Sequence, residues 1–130
     1  MSQQEIEVIL TRQLATYLAM PIFVVGPDGT LLFYNEPAEA ILGSRFDETG
    51  ALTVDEWSQL FTPVNQLGVP LPPEERPVLI AVHERRPSHR NFWVKRRDQV
   101  LLHIEVTAFP LIGQADRYLG AVAIFWEAAQ

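Results

Sequence analysis

Three histidines, a Glu74-Glu75 pair and the aromatic residues Trp57, Phe61, Phe92 and Trp93 are the side chains here with chemistry to offer. A histidine aimed from a helix could ligate haem iron, and converging histidines could hold zinc. Adjacent carboxylates suit acid–base work, and aromatics can stack nucleic-acid bases. Each group also has a plainer use. His83 falls beside the apolar face of a predicted helix rather than in it, where it offsets the C-terminal dipole. His103 alternates outward with Glu105, and His89 falls in a basic turn, so nothing in the spacing makes the three converge. Glu74 and Glu75 stand where acids complement a helix N-terminus, and the aromatics suit core or dimer packing. No G-x-S-x-G, H-E-x-x-H, phosphate-cradling glycine loop or nucleophile–base pair occurs. The absence of cysteine excludes disulfides, thiolate metal sites, cysteine nucleophiles and flavin–cysteine adducts. The expectation is a non-enzyme with no metal site.

With 130 residues the chain can build one core and not two. Apolar residues at 48% and charged residues at 20% fit a soluble globular domain. The first ten residues carry Glu5 and Glu7 and no base, the wrong charge for a signal peptide. No apolar run approaches the roughly 20 residues that span a bilayer. We therefore expect a cytoplasmic protein with no membrane partner. The net charge of −6 is uneven, because residues 1–75 hold eleven acids against Arg12 and Arg45. Most bases cluster at Arg85, Arg86, Arg90, Lys95, Arg96 and Arg97. On an acidic chain this cluster reads as the solvated face of two strands and their turn, with no nucleic-acid partner.

Apolar spacing places these groups on elements. Residues 2–19 predict an amphipathic helix, with a Ser2/Glu5 capping box and a stripe of Ile6, Ile9, Leu10, Leu14 and Tyr17. Pro21 ends it. The Pro27-Asp28-Gly29 turn joins two apolar runs into a hairpin. Asn35 then caps a helix from Glu36 to Leu42 that stops at Gly43. Residues 44–73 read as irregular except for a short helix over 55–61, followed by a longer helix from Glu74 or Glu75 to about Arg85. Three strands close the chain: 91–96, 100–109 and 119–127. Both faces of the last are apolar and should be covered.

This order resembles a PAS domain. The resemblance rests on the hairpin with Asn35 and on Leu67-Gly68-Val69-Pro70-Leu71-Pro72-Pro73-Glu74-Glu75-Arg76-Pro77 leading into the long helix. Thr107-Ala108-Phe109-Pro110-Leu111 with Tyr118-Leu119-Gly120-Ala121-Val122 adds the last hairpin. It spans residues 19–127. Two departures stand out: Asp98-Gln99 replaces the usual Asp-Gly turn, and Phe125-Trp126-Glu127 stands where an Asp-x-Thr motif often couples to an output domain. The resemblance implies an α+β fold, with a five-stranded antiparallel sheet, helices on one face and the N-terminal helix on or beyond the other. Residues 1–19 would form that helix as a dimerisation element or cap, and residues 20–130 the PAS domain, either standing alone or as a piece of a larger sensor.

It further implies a non-enzymatic sensory module that binds a small apolar or aromatic ligand, a signalling protein partner, or both. The pocket is expected from Phe23, Val25, Val78, Val82, Ile104, Val106, Val122 and Ile124. A homodimer interface is expected from Ile6, Ile9, Leu10, Leu14, Tyr17, Leu101, Phe109 and Phe125, with Ala121 and Ala123 in the same outer patch. No cofactor is expected: flavin–cysteine photochemistry is excluded, and His83 is off the apolar face that haem would need. The alternatives are an interaction module with a sealed core and, second, a haem-based gas or redox sensor.

Overall fold

The computed structural model describes residues 10, 11, 13, 14, 20–96 and 98–128. Strands β1 (Ile22–Val25) and β2 (Leu31–Tyr34) form the predicted hairpin. Asp28 Oδ1 accepts from Thr30 N at 3.0 Å, and Gly29 N donates to Gly26 O at 2.9 Å. The Thr30 donors hold the Asp28 carboxyl below its ordinary pKa. Gly29 has φ 85°, and a Cβ there would collide with the Val54 side chain, so glycine alone suits both backbone and neighbour.

Asn35 begins helix α1 (Glu36–Leu42), its Oδ1 accepting from Ala38 N at 3.2 Å, and Gly43 ends it in the left-handed region. The same Oδ1 accepts from Ile22 N at 3.0 Å, and Nδ2 donates to Met20 O at 2.8 Å. One buried amide therefore joins the approach to β1 with the start of α1. The bounds of α1 are those expected from its caps.

The segment expected to be irregular holds more structure. It contains α2 (Phe46–Thr49), α3 (Val54–Leu60) and β3 (Thr62–Val64). A Thr53/Glu56 capping box starts α3. Strand β3 makes the sheet six-stranded, not five-stranded. Among the described strands it pairs with β4, with Pro63 opposite Val94, and an edge strand tolerates the proline that masked it in sequence.

Helix α4 (Pro77–Glu84) is shorter than expected. A separate 3-10 turn covers Pro73–Glu75, and Arg76 between them is extended at φ −94° and ψ 117°. The residue before a proline avoids helical backbone, so the helix starts at Pro77 and not before it.

Strands β4 (Ser88–Lys95), β5 (Leu101–Ile112) and β6 (Tyr118–Glu127) complete an antiparallel sheet of order β2-β1-β6-β5-β4-β3. The start of β4 takes in His89, which is thus in a strand rather than a turn. Strand β5 runs on through Pro110 because pairing with β4 ends at Ala108, leaving a strand with one partner. The core on the helical side gathers an aromatic group: Phe23 lies 5.3 Å from Trp57 and 6.5 Å from Phe61, and Tyr34 lies 5.9 Å from Phe61. On the opposite face Ile22, Val24 and Val122 are buried with Phe33, Phe109, Leu111 and Ile124 around them.

Two substitutions test this framework by urea denaturation. Asn35→Ala strips a buried acceptor from two N–H groups and should cost about 2–4 kcal/mol, with Asn35→Asp recovering part of it. Gly120 sits at φ 132° where a Cβ would run into the Val25 carbonyl. Gly120→Ala should therefore cost about 3 kcal/mol or more, and near-wild-type stability would contradict the β1–β6 pairing.

Candidate ligand pocket

Between the sheet and the helices lies a cavity of about 60 Å³. Its sheet wall follows from register. Phe92 stands opposite Ile104, Val106 opposite Phe125, and Phe23 opposite Ala123, and all six line the space. Val94 and Pro63 extend that wall towards the β3 edge. Leu42 of α1, Trp57 of α3 with Phe61 at its C-cap, and Pro77 and Val78 of α4 close the other side. The Trp57 indole is fixed by its Nε1, which donates to Gly29 O at 2.8 Å. Arg76 is the one charged residue in this lining. Such a wall excludes water and favours hydrocarbon.

Of the eight expected pocket residues, Phe23, Val78, Ile104 and Val106 line the cavity. Val25 and Val82 belong to the same core but lie off the cavity. Val122 and Ile124 do not face it; they lie on the other side of the sheet with Ile22 and Val24. The pocket side of β6 is Ala123 and Phe125 instead, so Phe125, expected in the dimer interface, is a pocket residue, and Ala121 and Ala123 are core. Both faces of β6 are apolar, and alternation alone cannot say which one meets the core.

Phe109 lies on the outer face as expected, and Leu101 is exposed at the start of β5. Leu10 and Leu14 are helical and 55% and 59% exposed. Ile6, Ile9 and Tyr17, with most of the predicted N-terminal helix, lie outside the described residues.

Sequence reasoning missed Arg76, Pro77, Leu42, Pro63, Phe92, Val94 and Ala123 as pocket residues. It placed Trp57 and Phe61 only as core, although their i, i+4 spacing could have indicated a shared face. The alternation of Phe92 and Val94 was legible too. Arg76 carried no signal.

The reactive side chains do not meet in the cavity. His83 is exposed and borders a surface groove with Pro73, Glu74, Leu79 and Ile80. His103 stacks on Trp93 on the outer face, with centroids 4.7 Å apart and planes at 14°. His89 Nδ1 is 2.7 Å from Thr107 Oγ1, and its Nε2 is 3.7 Å from Glu105 Oε1. Trp126 Nε1 donates to Glu105 Oε2 at 3.1 Å. Among the described residues no group of three or more His, Asp or Glu side chains could hold a metal ion. Glu75 does not serve the start of α4; it accepts from Arg90 at 2.6 Å. The basic cluster is divided among local partners, with Arg86 on Glu84 and Arg96 on Asp98, while Arg85 lies 4.6 Å over the Tyr118 ring.

No protein-family model matches the chain, and a search of curated proteins finds no match. Solved structures do match. The PAS domain of a protein from Colwellia psychrerythraea superposes with a TM-score of 0.64 at 16% identity, covering 93% of this chain and 96% of that one. The chain has the PAS fold. The PAS domain of nitrogen regulation protein NR(II) from Vibrio parahaemolyticus gives 0.63 at 15% identity, over 92% of this chain and 98% of that one. A Rhodobacter sphaeroides LOV protein gives 0.72 at 11% identity, over 97% and 70%.

PAS folds can hold flavin or haem, and the residues present here fit neither. A cavity of about 150 Å³ takes one benzene ring, while this one is about 60 Å³ and its wall offers no side-chain amide to an isoalloxazine edge. No histidine lines it for haem iron. The cavity face itself is open to test. Val106→Asp would bury an unpaired carboxylate and should cost more than about 3 kcal/mol by urea denaturation. A folded variant with unchanged melting temperature would refute the assignment of β5 faces.

Proposed function

We propose that this PAS-fold chain is a non-enzymatic sensory module, in which a small apolar ligand in the cavity between sheet and helices sets the signal. The observation that carries this is the cavity wall, drawn from five strands and three helices and almost wholly hydrocarbon. A ligand there touches both layers at once, so its binding can bias how they pack. Fold neighbours drawn from a nitrogen regulation protein and a LOV protein favour a signalling role.

The proposal includes a homodimer. Leu10 and Leu14 project from successive helical turns into solvent, and Phe109 with Leu111 and Ile124 adds apolar surface on the sheet face away from the pocket. Two subunits sharing helix and sheet face about a two-fold axis would cover both. Neither nucleic acid nor membrane is a proposed partner. The basic residues are largely engaged locally, and among the described residues no helix is long and apolar enough to cross a membrane. A cysteine-free chain fits a reducing, cytoplasmic setting. The output partner would be another signalling protein.

A second reading, an interaction module whose core is simply sealed, is favoured by the small size of the cavity. Native mass spectrometry of protein purified from its own host separates the two, the sensor reading requiring a retained or exchangeable small molecule. The isolated protein should be colourless, and a flavin or haem absorption band would overturn the cofactor assignment. Deleting residues 1–18 should convert a dimer into monomer or aggregate in sedimentation. A full-length monomer at micromolar concentration, unchanged by the deletion, would exclude the dimer.

A further inference from the structure

We propose that the cavity takes a small apolar monocarboxylate, its hydrocarbon tail among the core side chains and its carboxylate on the Arg76 guanidinium. The inference rests on the cavity being a ligand site, as proposed above. Arg76 borders the cavity, yet almost none of the cavity surface is polar, so its alkyl stem forms wall while the charged head stands outside the apolar interior. Nε is committed, donating to Leu71 O at 2.9 Å. That leaves the Nη1/Nη2 edge, which can meet one carboxylate through two parallel N–H···O bonds.

No carboxylate of the described residues takes that edge. Arg45, Arg86, Arg90 and Arg96 each lie against an acid, and Arg76 does not. The adjacent acid, Glu75, is turned to Arg90 at 2.6 Å, and the first turn of α4 contains no acid. Burial nonetheless removes Arg76 partly from water, enough to draw its pKa below the ordinary arginine value. A partly desolvated cation without a counter-ion is costly, and a ligand anion at the cavity rim would relieve that cost.

Size narrows the tail. A cavity of about 60 Å³ is well below the roughly 150 Å³ that takes a benzene ring, so it selects a short unbranched tail over a ring. Pentanoate is a suitable probe, since only the far end of its tail need enter while the carboxylate end stays at the Arg76 rim.

The test titrates the full-length protein at neutral pH with sodium pentanoate and with neutral pentanamide, read by calorimetry and by the NMR signals of Val106 and Phe125. Pentanoate should bind about tenfold more tightly than pentanamide. That preference should shrink with added salt and vanish in Arg76→Met. Equal binding of acid and amide to the wild type would overturn the anion assignment while leaving the pocket intact. If neither compound shifts the Val106 and Phe125 signals, the ligand-site reading itself fails and this inference falls with it. Should Arg76→Met not fold, the wild-type comparison of acid with amide decides alone.

Discussion

The buried side chain of Asn35 is the joint on which the sheet depends. Its Oδ1 receives both Ile22 N and Ala38 N, while Nδ2 reaches Met20 O. Each of those groups would otherwise be a backbone donor or acceptor withdrawn from water without a partner, which is costly in a core. The amide thereby fixes where β1 begins relative to where α1 begins. Strand β1 lies between β2 and β6, so its position sets the placement of Phe23 against Ala123 and, through β6, of Phe125 against Val106. The pocket wall follows from a hydrogen-bonded joint outside it.

A second constraint keeps both strands and layers close. Gly120 lets the backbone of β6 approach that of Val25, where any side chain would strike the carbonyl. Trp57 is pinned to the hairpin turn through Gly29 O, and Gly29 in turn leaves room for Val54. Tyr118 of β6 donates to Val82 O at 2.8 Å, tying the last strand to the C-terminal end of α4. The Trp57 and Tyr118 hydrogen bonds link the sheet and its hairpin turn to helices α3 and α4. A change in how the cavity is filled therefore has direct routes into β6, the strand that joins the two halves of the sheet.

The two sheet faces differ in chemistry as well as in position. The helical side is apolar and aromatic, whereas the outer face grades from aliphatic residues near β1 to Trp93, His103, His89, Glu105 and Trp126 across β4, β5 and β6. The histidines whose type suits a metal or haem site are thus spent on aromatic stacking and hydrogen bonds on that outer face, or stand exposed on α4. Their types permitted ligation, but their strand and helix positions keep them apart.

Local rules were enough for the elements whose signals are local. The Asn35 cap and Gly43 stop bounded α1, the Pro-Asp-Gly turn closed the first hairpin, and alternation sorted β5 into a pocket face with Ile104 and Val106 and an outer face with Phe109. The order of these elements was enough to suggest the fold. Three things required the tertiary structure. Strand β3 was hidden because Pro63 reads as a strand breaker until it is seen at an edge. Arg76 was invisible because nothing in a lone basic residue before a proline says that a cavity will form beside it. Strand β6 was assigned the wrong way round, since period-two alternation defines two faces but not which one is inside when both are apolar. Pairing with β5 breaks that symmetry: once Val106 faces the helices, the residue opposite it, Phe125, must face them too.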